Sequence, residues 1–301
     1  MKLVNSSFEI IPQIPTHTGI FKHIEKCART AYKSENRITE DSYDKFCQML
    51  IDRGHWACLE QSTVYLTYDN TNREYGESIF MNNPYSRICT NGDFTYVSTN
   101  YRVCHENNVN IHNLCIPTTM HVPRITVKFI CSRSIANELV RHRVFSFIQE
   151  SQRYCLYSSK KFNHECTFII PQWVYDIQIE ESKHMDLVTG ESKKYLLYLQ
   201  PESVINELRC LDRSVATWYY NLLRCEQDYI FLTTTEESYK LKPEEARSIL
   251  PNDCKTEICM TGFIDQWQEF FKLRCAKDAH PDMQRLAIPL RDEFIKQGYI
   301  I

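Results

Sequence analysis

Arg141–Tyr154 reads RHRVFSFIQESQRY, and the rest of the chain is organised around it. Three consecutive basic side chains close the apolar segment Ile135–Val140. Consecutive helical positions turn by about 100°, so Arg141, His142 and Arg143 cannot all reach solvent from one face. A helix that ends on them and runs into a loop bearing Ser146, Ser151 and Arg153 converges cations and hydroxyls on one spot. Arginine forks match phosphate oxygens in pairs and hydroxyls add neutral donors, which is the chemistry of a nucleotide site. The same residues satisfy a plainer reading, a helix C-terminus whose cations complement its dipole.

The whole chain bounds that choice. Its 301 residues are enough for a substantial core. With 43% hydrophobic and 24% charged residues it has the composition of an ordinary globular protein. A formal net charge of -3 argues against general nucleic-acid binding, so a basic site must be local. The start MKLVNSSFEIIPQIP lacks the basic-then-apolar pattern of a leader, and no apolar run reaches membrane-spanning length. There are 14 cysteines with no CxxC, and Cys254 and Cys259 have no histidine beside them, so zinc-ligand spacing is missing. Scattered cysteines of this kind read as reduced core thiols in a cytoplasmic protein. Among only 7 glycines there is neither GxGxxG nor a P-loop, so any dinucleotide is bound without a Rossmann turn.

Working outward, residues 1–16 read as an entry strand and a proline-containing loop, followed by a helix capped at Thr18 and running to about Lys33. A second helix starts at Thr39, with Tyr43, Phe46, Cys47, Leu50 and Ile51 on one face, and Gly54 ends it. Gly54–Glu60 then leads into the alternating strand Thr63–Tyr68 and reads either as a ligand loop or as a turn that happens to contain a histidine. Residues 69–122 carry turn signals at Asn82-Asn83-Pro84 and Asn91-Gly92-Asp93 and a short helix around Asn100–Glu106; by default they form a surface excursion. Arg124–Cys131 is a strand, and Ser132 or Ser134 caps the helix that leads to Arg-His-Arg. Glu165–Ile170 is a short strand, residues 176–198 an exposed loop with some helix, and Pro201 opens an amphipathic helix to about Asp228. A short helix from Pro243, a brief strand at Thr256–Met260 and helices from Thr261 and Pro281 complete the chain.

Arg141-His142-Arg143, seven residues and then Ser151, with Arg153 two further on, resembles the signature of the flavin-dependent thymidylate synthases, the ThyX family. Pro243-Glu244-Glu245-Ala246-Arg247 and Phe270-Phe271-Lys272-Leu273-Arg274 are similar to that family's later blocks, in the same order. The resemblance spans roughly residues 20–68 and 124–295 and treats residues 69–122 as an insertion that compact members lack. It implies an α/β (α+β) subunit, one domain over residues 1–301, with a small, mostly antiparallel sheet and packed long helices, in a homotetramer with shared active sites. It also implies reductive methylation of dUMP to dTMP, with methylenetetrahydrofolate as carbon donor and NADPH as reductant through FAD.

Carried over residue by residue, the resemblance makes Arg274 the catalytic residue, stabilising negative charge on the pyrimidine ring. It assigns Glu138, Arg141, Ser151, Gln152, Arg153, Arg247 and Arg274 to dUMP. His55, Glu60, Arg141, His142, Arg143, Gln149 and Glu269 go to FAD, and no metal is implied. The sequence departs from the family pattern at Ala57, where a hydroxyl is frequent, at Ile148, where relatives are commonly polar, and at Glu269, where they carry asparagine or histidine. None of the cysteines sits in the Pro-Cys-His context of the unrelated cysteine-dependent thymidylate synthases. Two alternatives stand beside this reading: a pyrimidine-nucleotide hydroxymethylase of the same family, and a non-catalytic paralogue that binds nucleotide or nucleic acid.

Overall fold

The computed structural model describes residues 1–70, 77–81, 83–177, 212–236 and 239–300. Its centre is a four-stranded antiparallel sheet of β2 (Ser7–Ile11), β6 (Arg124–Ser132), β9 (Lys255–Phe263) and β7 (Ser146–Gln149), in the order β2-β6-β9-β7. β9 is the surprise for a sequence reader. Only Thr256, Ile258 and Met260 announced a brief strand, but all nine residues pair with β6, from Lys255↔Ser132 to Phe263↔Arg124. Both faces of β9 are buried, so its polar members Thr256, Glu257 and Thr261 break the expected alternation while finding partners inside.

Helices α1 (His17–Arg29), α2 (Ser42–Asp52) and α3 (Trp56–Leu59) lie near the start of the chain. The Thr16 hydroxyl, not Thr18, caps α1 by accepting from Gly19 N at 3.1 Å. Gly54, at φ 66, turns the chain after α2 as a left-handed residue can. β3 (Val64–Asp69) follows.

The segment 69–122 is not a mere surface excursion. It contains α4 (Glu77–Met81) and the hairpin β4 (Arg87–Asn91) and β5 (Phe94–Thr99), whose tight turn has Gly92 at φ 59. β5 pairs with β3, and the helix expected near Asn100–Glu106 is α5 (Tyr101–Glu106), capped by the Asn100 side chain. Val97, Val103 and Cys104 from this segment share one buried core with Ile20, Ile24, Leu50 and Leu59.

α6 (Arg133–Leu139) is capped by Ser132 Oγ, which accepts from Ile135 N at 3.3 Å. It stops at Leu139, so Arg141-His142-Arg143 form a turn after the helix rather than its last residues. Ser146–Gln149, expected in a loop, is instead β7, because the open edge of β9 offers it a ladder. β8 (Thr167–Ile169) pairs in parallel with β1 (Lys2–Val4).

The long helix expected from Pro201 is described as α7 (Arg213–Thr234), which runs past Asp228; residues 201–211 lie outside the described residues, as does the segment expected as a loop at 176–198 except Asp176 and Ile177, which are helical. α8 (Pro243–Ala246), α9 (Ile264–Arg274) and α10 (Pro281–Lys296) follow. α9 and α10 cover one face of the central sheet through Trp267, Phe270, Phe271, Leu286, Leu290 and Phe294. Among the described residues no helix is long and apolar enough to cross a membrane.

Candidate active site

The turn after α6 is anchored by Phe145. Its ring stacks edge-on against Trp267 at 4.8 Å and lies against Gly262 of β9, where a β-carbon would come within 2.3 Å of the ring. A glycine is therefore needed under this turn, and it lets β9 receive the aromatic side chain that holds Arg-His-Arg in place. His142 packs edge-on against Phe270 at 5.1 Å.

Two helix ends meet over this anchor. Arg274, the last residue of α9, donates from Nη1 to Glu138 Oε2 at 2.9 Å and from Nη2 to the Glu138 carbonyl at 3.2 Å. Its Nε donates to His142 Nε2 at 2.9 Å. A nitrogen that accepts must be unprotonated, so the neutral imidazole carries its proton on Nδ1. Burial, and then the neighbouring Arg274 charge, pull the His142 pKa down to about 4, which keeps it in this accepting form at neutral pH. Three of the five guanidinium donors are thus used, and those left are fixed in direction. Val144 and Leu273 are exposed apolar side chains beside this cluster. Arg141 and Arg143 are exposed and have no carboxylate partner among the described residues.

A second group forms beyond β7. Ser151 N donates to the Ala31 carbonyl at 2.9 Å, and Ser151 Oγ accepts from Arg153 N at 3.3 Å. Arg153 Nε lies 3.4 Å from Glu244 of α8, the helix that leads straight into exposed Arg247. A buried charge network holds the start of this loop. Glu150 accepts from Lys255 Nζ at 2.7 Å and from the Tyr157 hydroxyl at 3.1 Å, and Lys255 also reaches Glu257 at 2.7 Å. Lys33 and Lys128 contact the same Glu257. Burial alone would raise the Glu257 pKa, but Lys255 and Lys33 outweigh it and hold the carboxyl well below its usual range.

A third group is the Gly54–Glu60 loop. His55 is half-buried, and Glu60 Oε1 accepts from Arg102 Nη1 at 2.6 Å. Behind it, Arg124 donates to the carbonyls of Ser62 at 2.7 Å and Glu60 at 3.1 Å.

The fold thus joins Glu138, His142 and Arg274 directly, and links Ser151, Arg153 and the helix before Arg247. No hydrogen bond or ion pair connects these two groups to each other or to the Glu60 loop among the described residues. Gln149 turns to Thr256 Oγ1 at 3.2 Å, and Gln152 is buried against Cys254 Sγ at 3.4 Å. Glu269 points to solvent beside Lys272, and Ala57 is exposed. Ile148 is buried in the core with Cys259, so its apolar character is a packing requirement. Sequence reasoning did not pick out Arg102, Arg124, Glu150, Lys255 or Glu257 as supports. The pairings that tie them to the site, Arg102 to Glu60, Arg124 to Ser62 and Lys255 to Glu150, join residues far apart in the chain, and no spacing signals them. Among the described residues no three His, Cys, Asp or Glu side chains form a metal-ion set, and the described cysteines are free thiols.

The class defined by this geometry is an α/β chain with an antiparallel sheet that presents pre-set arginine forks beside an Arg-His-Arg turn. The model of the family described as thymidylate synthase complementing protein matches residues 111–297, and the chain belongs to that family. Curated relatives are named flavin-dependent thymidylate synthase. The one from Corynebacterium diphtheriae is 31% identical over 157 residues, covering 52% of this chain and 51% of the relative. That from Mycobacteroides abscessus is 28% identical with the same coverage, and that from Pyrococcus furiosus is 27% identical over 170 residues, 56% of this chain and 53% of the relative. The chain therefore spans about half the length of the curated relatives it matches. A crystal structure of Thymidylate Synthase X (ThyX) from Helicobacter pylori with FAD and dUMP matches at a TM-score of 0.37 and 15% identity, over 95% of this chain and 92% of that one.

Proposed function

We propose that this protein is a flavin-dependent thymidylate synthase: it methylates dUMP reductively to dTMP, taking the carbon from methylenetetrahydrofolate and reducing power from NADPH through FAD. The observation that carries this reading is Arg274 held between Glu138 and neutral His142, at the Arg-His-Arg turn of a chain in this family.

The donor set fits both ligands. Among the described residues Arg141 and Arg143 are exposed guanidinium groups with no carboxylate to neutralise them, and the His55 side chain takes no hydrogen bond; this suits the diphosphate of a dinucleotide. These residues and Glu60 would hold FAD, which when bound supplies the hydride. Ser151, Arg153 and Arg247 would take the nucleotide phosphate and sugar, fixing orientation before the reaction. Arg274 would offer its remaining donors to the pyrimidine as negative charge develops there. It does so without reorganising, because Glu138 and His142 already hold it. The Glu138 carboxylate stays paired with Arg274 and balances its charge when the site is empty of substrate.

From the family resemblance, we read the complete site as shared between copies in a homotetramer of single-domain subunits, in the cytoplasm. No observation favours the hydroxymethylase or the non-catalytic reading. The deciding experiment is the visible spectrum of the purified protein, followed by anaerobic addition of NADPH and dUMP. A flavin spectrum that bleaches, and a product in which a methyl group has replaced a ring hydrogen of dUMP once methylenetetrahydrofolate is supplied, are the expected results. Absence of flavin even after adding FAD would reject the reading, and a hydroxymethyl product would select the first alternative.

A further inference from the structure

The segment 69–122 reaches the Gly54–Glu60 loop through a fixed register. β3 starts four residues after Glu60 and pairs antiparallel with β5, with Val64 opposite Thr99. The chain leaving β5 must therefore run beside the residues that precede β3, and α5 lands on α3. Arg102 Nη1 donates to Glu60 Oε1 at 2.6 Å, while its Nε donates to Glu106 at 2.8 Å. His105 stacks on Trp56 with centroids 5.4 Å apart and 29° between planes. Tyr101 packs edge-on against Phe21 at 4.9 Å. Glu60 thus has its carboxylate held by the inserted helix and its carbonyl held by Arg124 of the central sheet.

We propose that Arg102 is a positioning residue for the flavin site. It fixes the Glu60 carboxylate and the loop that carries it, so that the inserted segment forms part of the cofactor-binding wall. This rests on the reading of Gly54–Glu60 as the cofactor-facing loop. The Glu60 side chain is only 13% exposed, so without Arg102 an uncompensated carboxylate would remain next to an incoming diphosphate. It would have to move toward water or repel the ligand, and either change weakens binding. Arg102 acts through Glu60, so its effect must vanish when Glu60 has no charge to hold.

The test uses the full chain stripped of flavin and titrated with FAD, followed by quenching of flavin fluorescence and by the visible spectrum. Arg102→Met should raise the FAD Kd about tenfold with the far-ultraviolet dichroism unchanged, and Arg102→Lys should recover most of the loss. Adding Arg102→Met to Glu60→Gln should cost little beyond Glu60→Gln alone, because partners in one pair are not additive. Should Arg102→Met fail to fold, Arg102→Gln serves and must also weaken FAD severalfold. Wild-type affinity in a folded Arg102 variant, or full additivity with Glu60→Gln, overturns the inference while leaving the proposed function standing. A wild-type chain that binds no FAD overturns both.

Discussion

Arg274 and Arg124 are both arginines held inside the protein, and they are held in opposite ways. Arg274 has a carboxylate, a carbonyl and a neutral imidazole around it. Arg124 is buried and has no carboxylate partner within ion-pair distance among the described residues. Its guanidinium rests on two loop carbonyls and over the Phe263 ring at 5.4 Å, and burial pulls its pKa down to about 10. It therefore remains charged at neutral pH. The two clusters meet at neighbouring residues of one strand: Gly262 receives Phe145 from the Arg274 side, and Phe263 receives Arg124. Successive strand residues face opposite ways, so β9 separates a balanced cation that can serve chemistry from an unbalanced one that fixes backbone.

On that division of labour, Arg274→Lys should give the largest effect. A lysine keeps the charge but loses the fork, so turnover should fall by about 100-fold or more, with the urea midpoint almost unchanged. A variant within a fewfold of wild-type turnover would break the comparison from the Arg274 side. Gly262→Ala should come next, because the new methyl meets the Phe145 ring inside a packed core. We expect a loss of about 3 kcal/mol in urea unfolding, together with a fall in turnover as the Arg-His-Arg turn shifts. Preserved stability would mean that Phe145 has room to move.

Arg124→Met removes the buried cation but strands the Glu60 and Ser62 carbonyls, so stability should drop by about 2 kcal/mol. In the frame proposed here it should lower FAD affinity more than dUMP affinity, and a reversed order in binding titrations would count against it. The smallest effect concerns acid. His142 has a folded pKa of about 4 against an ordinary value of 6.5, so between those values the unfolded chain binds more protons. Its contribution is fully present above about pH 6.5 and is lost as pH falls toward 4. Buried His23, also held down to about 4 by burial, acts in the same direction. Urea midpoints measured from pH 7 to pH 4.5 should fall, and less steeply in His142→Phe than in wild type. An equal slope would show that His142 is not held neutral.

Much of this was legible in the chain. The signature from Arg141 to Arg153, the arginine at the end of the Phe270–Arg274 block, and the amphipathic periods of α1, α2 and α10 all depend on residues near one another in sequence. The notable misreadings came where a partner strand decided the outcome. β7 looked like loop until the edge of β9 was available to it, and β9 looked brief because its buried polar residues mask the alternation. The segment 69–122 was opaque for the same reason. Its hairpin is stabilised by pairing with β3 and by a core shared with α1 and α2.

What the sequence determined by itself is the chemical kit: which cations, hydroxyls and carboxylates the protein owns, and in what order, since local spacing and periodicity encode these. What only the tertiary structure decided is which of those groups are already engaged. Glu138 and Arg274 are separated by 136 residues, Glu150 and Lys255 by 105, and Glu60 and Arg102 by 42. Such pairings follow from strand register and helix packing, which bring distant segments together to bury apolar surface. Once apolar surface sets the positions, burial makes every unpaired polar group costly. The charges must then settle against whichever partners the core has placed beside them.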